Sequence, residues 1–397
     1  MNRSKIKTVA SAAFTAVFLL IIFGAMFVTV LSEKKDVSYY ENRRLAVFPS
    51  FSIDGVKDGS YFEDVGDYIK DHAAMREKLL AVNALIDLNV LQRPVVNGIY
   101  VGDDVLLPYF DEESVDTDAI RAEASVVADR FAERRELVEQ MGGRYYFVAV
   151  PSQYVCYEDE YPWYLNSRKE YMSVVHGAFM EELAERGVSC IDMAERYEES
   201  GRAEYFASRV DHHFGILGAY ETYLEILGRY TADTGAVLDV LDKGTFDVEY
   251  LPNKYMGSRS RKIFGFWDST ERLGIISPHE SVPFKRYDNG VAVAPTVYDL
   301  PESESENVLY TTYMGGDVAK TLIDTGRDEL PTVLIYGESF TNAVESIAWY
   351  SFGKMYSLDL RHSKEGAFEA LVSEVKPDLV VCIRDYSVLL MTEDYGH

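Results

Sequence analysis

Between residues 332 and 383 three short apolar runs, 332–336, 354–360 and 379–383, alternate with two helical segments, 340–352 and 366–375. Runs of five to seven β-branched and aliphatic residues read as strands buried on both faces, and helices between them make right-handed crossovers onto a parallel sheet. The same alternation occurs earlier. A helical pattern over 115–141 stops at Gly142-Gly143, the run 145–150 ends at Pro151, and a helix over about 169–185 leads through Gly187 to a strand at 188–193. The expected fold class is therefore α/β, a parallel sheet with helices on both faces. Between about 231 and 330 the periodicity is lost, which predicts an irregular, β-rich insertion.

The amino-terminal segment constrains the compartment. Arg3, Lys5 and Lys7 precede a stretch from Thr8 to Ser32 without an ionisable side chain. An apolar run of about 20 residues crosses the hydrocarbon layer as a helix, and basic residues before it favour a cytoplasmic amino terminus. A single-pass anchor in the plasma membrane with the rest of the chain extracytoplasmic is the expectation. A cleaved signal peptide is the alternative, with an apolar region of only ~7–15 residues. The predicted organisation is a tail and anchor over 1–32, a stalk and helical segment over 33–110 with a helix at about 61–91, and an α/β domain over 111–397.

Composition narrows the partners. The 65 Asp and Glu against 39 Lys and Arg give a net charge of −26, a field that repels phosphate backbones and argues against nucleic acid. Neutral or cationic substrates suit such a surface better than polyanions. The three cysteines, Cys156, Cys190 and Cys382, have no metal-ligand spacing and read as core thiols.

In an open parallel sheet, ligands collect beyond the carboxyl ends of the strands. The turn Tyr336-Gly337-Glu338-Ser339-Phe340 leaves such an end, with Gly337 for a tight bend and Ser339 at the start of a helix, where N–H groups and the helix dipole can stabilise an oxyanion. Serine is also a common helix N-cap, so the turn alone leaves both roles open. Asp211-His212-His213 supplies the complement. In an extended segment Asp211 and His213 project from one face, so the carboxylate can orient the imidazole while its other nitrogen deprotonates a serine; His212 would face the other way. Metal ligation is the competing chemistry, although His72, His176, His279, His362 and His397 form no ligand-spaced set. Asn342 is a candidate oxyanion donor or a solvent-facing residue. Arg361 is a candidate substrate clamp, or an ion-pair partner of Asp359 or Glu365.

Together with Glu41-Asn42-Arg43 through Pro49, Asp71-His72 with Arg76, Gly218-Ala219-Tyr220, Met256-Gly257-Ser258, Tyr313 with Gly315-Gly316-Asp317, and Asp359-Leu360-Arg361, these residues resemble the bacterial DHHW protein family. That family is similar to the SGNH-hydrolase-like acetyltransferases of alginate O-acetylation. The resemblance covers most of the chain after the anchor and implies an SGNH-like domain with Asp211, His213 and Ser339 as acid, base and nucleophile. It further implies an O-acetyltransferase acting on a cell-surface polysaccharide through an acyl-enzyme, needing no cofactor and supplied by a membrane-embedded acyl-donor partner. A carbohydrate acetylesterase with the same triad and a non-catalytic glycan-binding protein are the alternatives. Phe214 stands where the family usually has Trp, and Glu338 where Asp is usual.

Overall fold

The protein, represented by a computed structural model, is described over residues 3–32, 34–41, 43–112, 114–201 and 206–392; Asn42 and His397 lie outside these residues. The chain forms two compact units, Met1–Asn97 with Ser260–Trp267, and Gly98–Arg259 with Asp268–His397.

In the first unit α1 (Arg3–Leu31) contains the 25-residue span Lys7–Leu31, whose mean hydropathy of 2.7 makes it long and apolar enough to cross a membrane. The helix expected over 61–91 is two, α2 (Ser60–Asp71) and α3 (Arg76–Asn89), with Met75 in the left-handed region at φ 60° between them. The break follows from what the residues around it bind. Arg43 donates to both Asp71 oxygens at 2.8 and 2.5 Å, the Ala46 N–H donates to Asp71 at 2.9 Å, and His72 Nε2 lies 2.9 Å from the Ala46 carbonyl. Arg76, at the start of α3, grips Glu41 in the same forked way at 2.5 and 3.0 Å. Apolar spacing cannot report such a clasp, because its members are polar and far apart in the chain.

The second unit is built on an eight-stranded sheet. In chain order its strands are β1 (Arg144–Val150), β2 (Ser189–Asp192), β3 (Lys285–Asp288), β4 (Val291–Val293), β5 (Lys320–Asp324), β6 (Thr332–Gly337), β7 (Lys354–Asp359) and β8 (Leu379–Asp385); in space they run β4-β3-β5-β7-β6-β8-β1-β2. The five strands read from the sequence as an alternating pattern, β7, β6, β8, β1 and β2, pair in parallel. The three supplied by the irregular stretch, β3, β4 and β5, extend the β7 edge antiparallel, so the whole sheet is mixed. Their alternation is weaker in sequence because β4 is exposed throughout and β5 is buried only at alternate positions.

Helices α4 (Thr117–Gln140), α5 (Lys169–Glu185) and α8 (Ala367–Val375) share one core with the sheet, centred on Phe131, Phe147, Phe179, Tyr336 and Phe368. Side chains alternate along β1, so Tyr146 points away from that core, and its hydroxyl donates to Asp233 in α6 (Ile216–Thr234) at 2.8 Å. The helix α7 (Thr341–Ala348) packs with α6. Both faces are thereby covered, and the carboxyl ends of the five parallel strands form one rim.

Candidate active site

The turn leaving β6 is forced by a close approach. A Cβ on Gly337 would lie 2.3 Å from the carbonyl oxygen of Ile383 in β8, so no larger residue fits there. Glu338 and Ser339 follow, and α7 begins at Thr341 with Phe340 in the cap position and no side-chain cap. Ser339 therefore does not cap the helix. Its Oγ lies 2.8 Å from His213 Nε2, a pair separated by 126 residues in the chain.

Asp211 and His213 meet, although not for the reason the sequence suggests. The segment is a bend, not an extended strand. The Asp211 Oδ1 accepts the backbone N–H of His213 at 3.1 Å and faces its ring Nδ1 at 2.7 Å. This local loop brings acid and imidazole together and also overturns the expectation that His212 faces away: the two histidine rings lie 3.7 Å apart, and His212 Nδ1 is 2.7 Å from Ser258 Oγ. Ser258 closes the arrangement by donating its backbone N–H to Asp211 Oδ2 at 2.7 Å. Gly257 permits it, since a Cβ there would sit 2.4 Å from the Val210 carbonyl oxygen.

The imidazole is held on its faces as well as its edges. Tyr310 stacks on His213 at 3.7 Å with the planes 2° apart, and Phe340 lies 4.9 Å from the same ring. Nothing in the sequence marks Tyr310, whereas Ser258 belongs to a motif already singled out. Asp211 is 2% exposed and His213 5%, while Ser339 keeps partial exposure. Burial alone would raise the Asp211 carboxyl; the adjoining His213 and His212 and the bonded N–H hold it well below the usual carboxylate range.

The other two candidate residues belong to a second chain of contacts. Asn342 is buried and donates its amide to Asp317 at 3.1 Å. Arg361 takes the ion-pair alternative: it donates to Asp359 at 2.7 Å and to Asp317 at 3.0 Å, with Asp317 in the place considered for Glu365. His362 also approaches Asp317 and Asp359, with ligand atoms within 4.8 Å, although the Arg361 guanidinium already occupies both carboxylates. The ligand atoms of Asp211, His212 and His213 are equally close, but both ring nitrogens of His213 are engaged by Asp211 and Ser339.

Several carboxyls of this unit are pushed the opposite way from Asp211. Burial, then the carboxylate of Asp385, raises Glu338, whose Oε1 is buried without a hydrogen-bond partner. Burial also raises Asp385, although the Ser152 and Ser387 hydroxyls donate to it at 2.8 Å. Glu345 and Glu271 are each pushed up to about 7 by burial; Glu345 accepts from the Ser357 hydroxyl at 2.7 Å and Glu271 from the Arg209 N–H at 2.8 Å.

No protein-family model matches the chain, and no curated protein matches its sequence. Solved structures do resemble it. Bacillus cereus PatB1, determined with a sulfonyl adduct, is 18% identical and superposes with a TM-score of 0.60 over 73% of this chain and 95% of its own. The O-acetyltransferase domain of Pseudomonas putida AlgJ aligns over 75% of this chain and 94% of its own at 13% identity, with a TM-score of 0.47. A DHHW family protein from Eubacterium siraeum is 18% identical, with a TM-score of 0.56 over 76% of this chain and 95% of its own. The motif resemblance thus has a counterpart in three dimensions: around a mixed α/β sheet, this chain has the fold of PatB1 and of a DHHW family protein.

Proposed function

We propose that the protein is a serine-dependent O-acetyltransferase of the DHHW type, anchored by α1 with its larger unit outside the membrane, that acetylates a cell-surface polysaccharide. One observation carries the chemistry: a single imidazole lies 2.7 Å from a buried carboxylate on one nitrogen and 2.8 Å from a partly exposed serine hydroxyl on the other. His213 accepts the Ser339 proton as Oγ attacks the acyl carbonyl carbon. The donor's C–O bond then breaks, and the leaving oxygen takes that proton from Nε2. A sugar hydroxyl repeats the sequence in reverse, giving up its proton to His213 as it takes the acyl group, and Ser339 regains a proton. Asp211 fixes the tautomer and balances the imidazolium at each stage.

Acyl transfer of this kind needs no resident cofactor. The acyl donor is passed outward by a membrane-embedded partner. The second amide hydrogen of Asn342, beside the one given to Asp317, is the candidate oxyanion donor, since the N–H groups of Thr341 and Asn342 at the start of α7 already donate to the Glu338 and Ser339 carbonyls. Arg361, already paired, acts on the acceptor through the position of Asp317 rather than as a free clamp.

The test is turnover of p-nitrophenyl acetate by the purified protein and by Ser339→Ala, with mass spectrometry of the acyl adduct and then addition of an oligosaccharide acceptor. Serine-dependent ester cleavage, an acetyl adduct on Ser339 and acetylated sugar are expected. Free acetate with no acetylated sugar under any acceptor makes the protein an esterase; absence of an adduct removes both enzymatic readings.

A further inference from the structure

Trp163 is 94% exposed and its neighbour Tyr164 54%, with the two rings crossed edge to face at 5.7 Å. Tyr109 and Phe110 line the same groove of about 690 Å³, together with Glu112 and Asn166. Contiguous aromatic surface in water marks an interaction site more often than a scattered apolar residue does. The groove is also built. The Asn166 amide donates to the Asp111 carbonyl at 2.8 Å while its oxygen accepts the Arg168 N–H at 2.8 Å, and the Tyr161 hydroxyl donates to the Pro108 carbonyl at 2.7 Å. The Arg168 guanidinium covers the Phe110 ring at 4.9 Å. The segments 108–112 and 161–168 are therefore tied together, and the exposed rings project from a fixed frame.

Position and charge decide what such a groove fits. Residues 151–168 connect β1 to α5, so they leave the sheet at the same carboxyl rim as the Ser339 turn leaves β6, with only β8 between the two strands. At ~4.8 Å per strand the two connections start about 10 Å apart. The same connection opens with Ser152, which bonds Asp385, and Gln153, which accepts from Arg259 at 3.2 Å. The segments 108–112 and 151–168 carry Asp111, Glu112, Asp159 and Glu160 against the single cation Arg168 on Phe110, Lys169 being paired with Glu158, so the charge along them is net negative. Polyanions and anionic lipid headgroups are repelled there. A pyranose presents an apolar C–H face, slightly positive, to the negative face of an aromatic ring, and its hydroxyls or amines reach the flanking carboxylates.

We propose that the groove at Tyr109, Phe110, Trp163 and Tyr164 is a carbohydrate subsite for a neutral or amine-bearing glycan. Its use in presenting a distant hydroxyl to Ser339 rests on the acyl-transfer reading; the binding does not. The experiment uses the full chain in detergent and titrates hexamers of N-acetylglucosamine, glucosamine and a uronic acid by calorimetry. Binding of one of the first two, about tenfold or more weaker in the Trp163→Ala/Tyr164→Ala double variant and unchanged in Ser339→Ala, is expected, with p-nitrophenyl acetate turnover of the double variant equal to the parent's. Equal affinity in parent and double variant, preference for the uronic acid hexamer, or no binding of any hexamer at millimolar concentration overturns the proposal. So does quenching of tryptophan fluorescence by brominated phosphatidylcholine after reconstitution that is lost in Trp163→Ala, which would assign the rings to the bilayer surface. Sugar binding in a parent that shows no ester turnover leaves this subsite standing and removes the catalytic reading.

Discussion

The two units differ in how they hold their most strongly perturbed carboxylates. In the first, Asp71 and Glu41 each face a forked arginine, and their charged forms are favoured: Arg43 holds Asp71 well below the usual range, and Arg76 lowers Glu41. In the second, Glu345 and Asp385 are buried and Glu338 and Glu271 half-buried, none faces a forked arginine, and loss of solvent raises all four. Asp211, Asp192 and Asp233 of the same unit go the other way, each lowered by the groups that hydrogen-bond it. A fully matched charge pair fixes geometry and has little left to offer a substrate, whereas poorly compensated carboxyls collect where a fold is arranged for chemistry.

The sharpest way to break the contrast is Ser339→Ala. Ester turnover should fall by about 10⁴-fold or more while the thermal transitions of both units stay in place. Asp211→Asn comes next. The amide keeps an acceptor for the Ser258 N–H but reverses what His213 Nδ1 meets, and a loss of about 10³–10⁴-fold in kcat without a change in KM is expected. Loss of both parameters through unfolding, seen by circular dichroism, would make Asp211 merely structural.

Smaller effects test the pH signs. The raised carboxyls bind protons in the folded state that the unfolded chain has released, so the second unit should lose stability as pH climbs from about 4.3, the free Glu value, through about 7. Glu338→Gln removes one such group, and melting curves from pH 5 to 9 should flatten relative to the parent; an unchanged slope would refute the assignment. Asp71 and Glu41 run the other way: their contribution is present above about pH 4 and lost in acid. Asp71→Asn should therefore destabilise the first unit by about 1–3 kcal/mol at pH 7, with the deficit shrinking at low pH.

Much of this was legible before the fold. The strands at 145–150, 332–336 and 379–383 and the helix Lys169–Glu185 follow from apolar runs and periodicity, and they fall where the structure has them because burial on two faces leaves a long, continuous signal. The edge strands β3 to β5 were hidden in the irregular stretch, since short, partly exposed strands carry little apolar pattern. The broken helix at His72–Met75 was hidden by polar contacts to residues 41–46. At the site, Asp211, His213 and Ser339 could be named from residue type and turn position. The bend that turns His212 inward, the Tyr310 stack and the pairing of Arg361 with Asp317 could not.

By itself the sequence determined the apolar amino-terminal helix, the alternation that makes an α/β sheet, and an inventory of groups suited to acyl transfer, because periodicity and residue chemistry are local properties. Only the tertiary structure decided that His213 and Ser339 lie 2.8 Å apart and that Asn342 and Arg361 are tied to Asp317. Those distances depend on strand order, on the way residues 206–258 are laid over the rim, and on close approaches at Gly257 and Gly337. Long-range packing sets them, and no run of neighbouring residues encodes it.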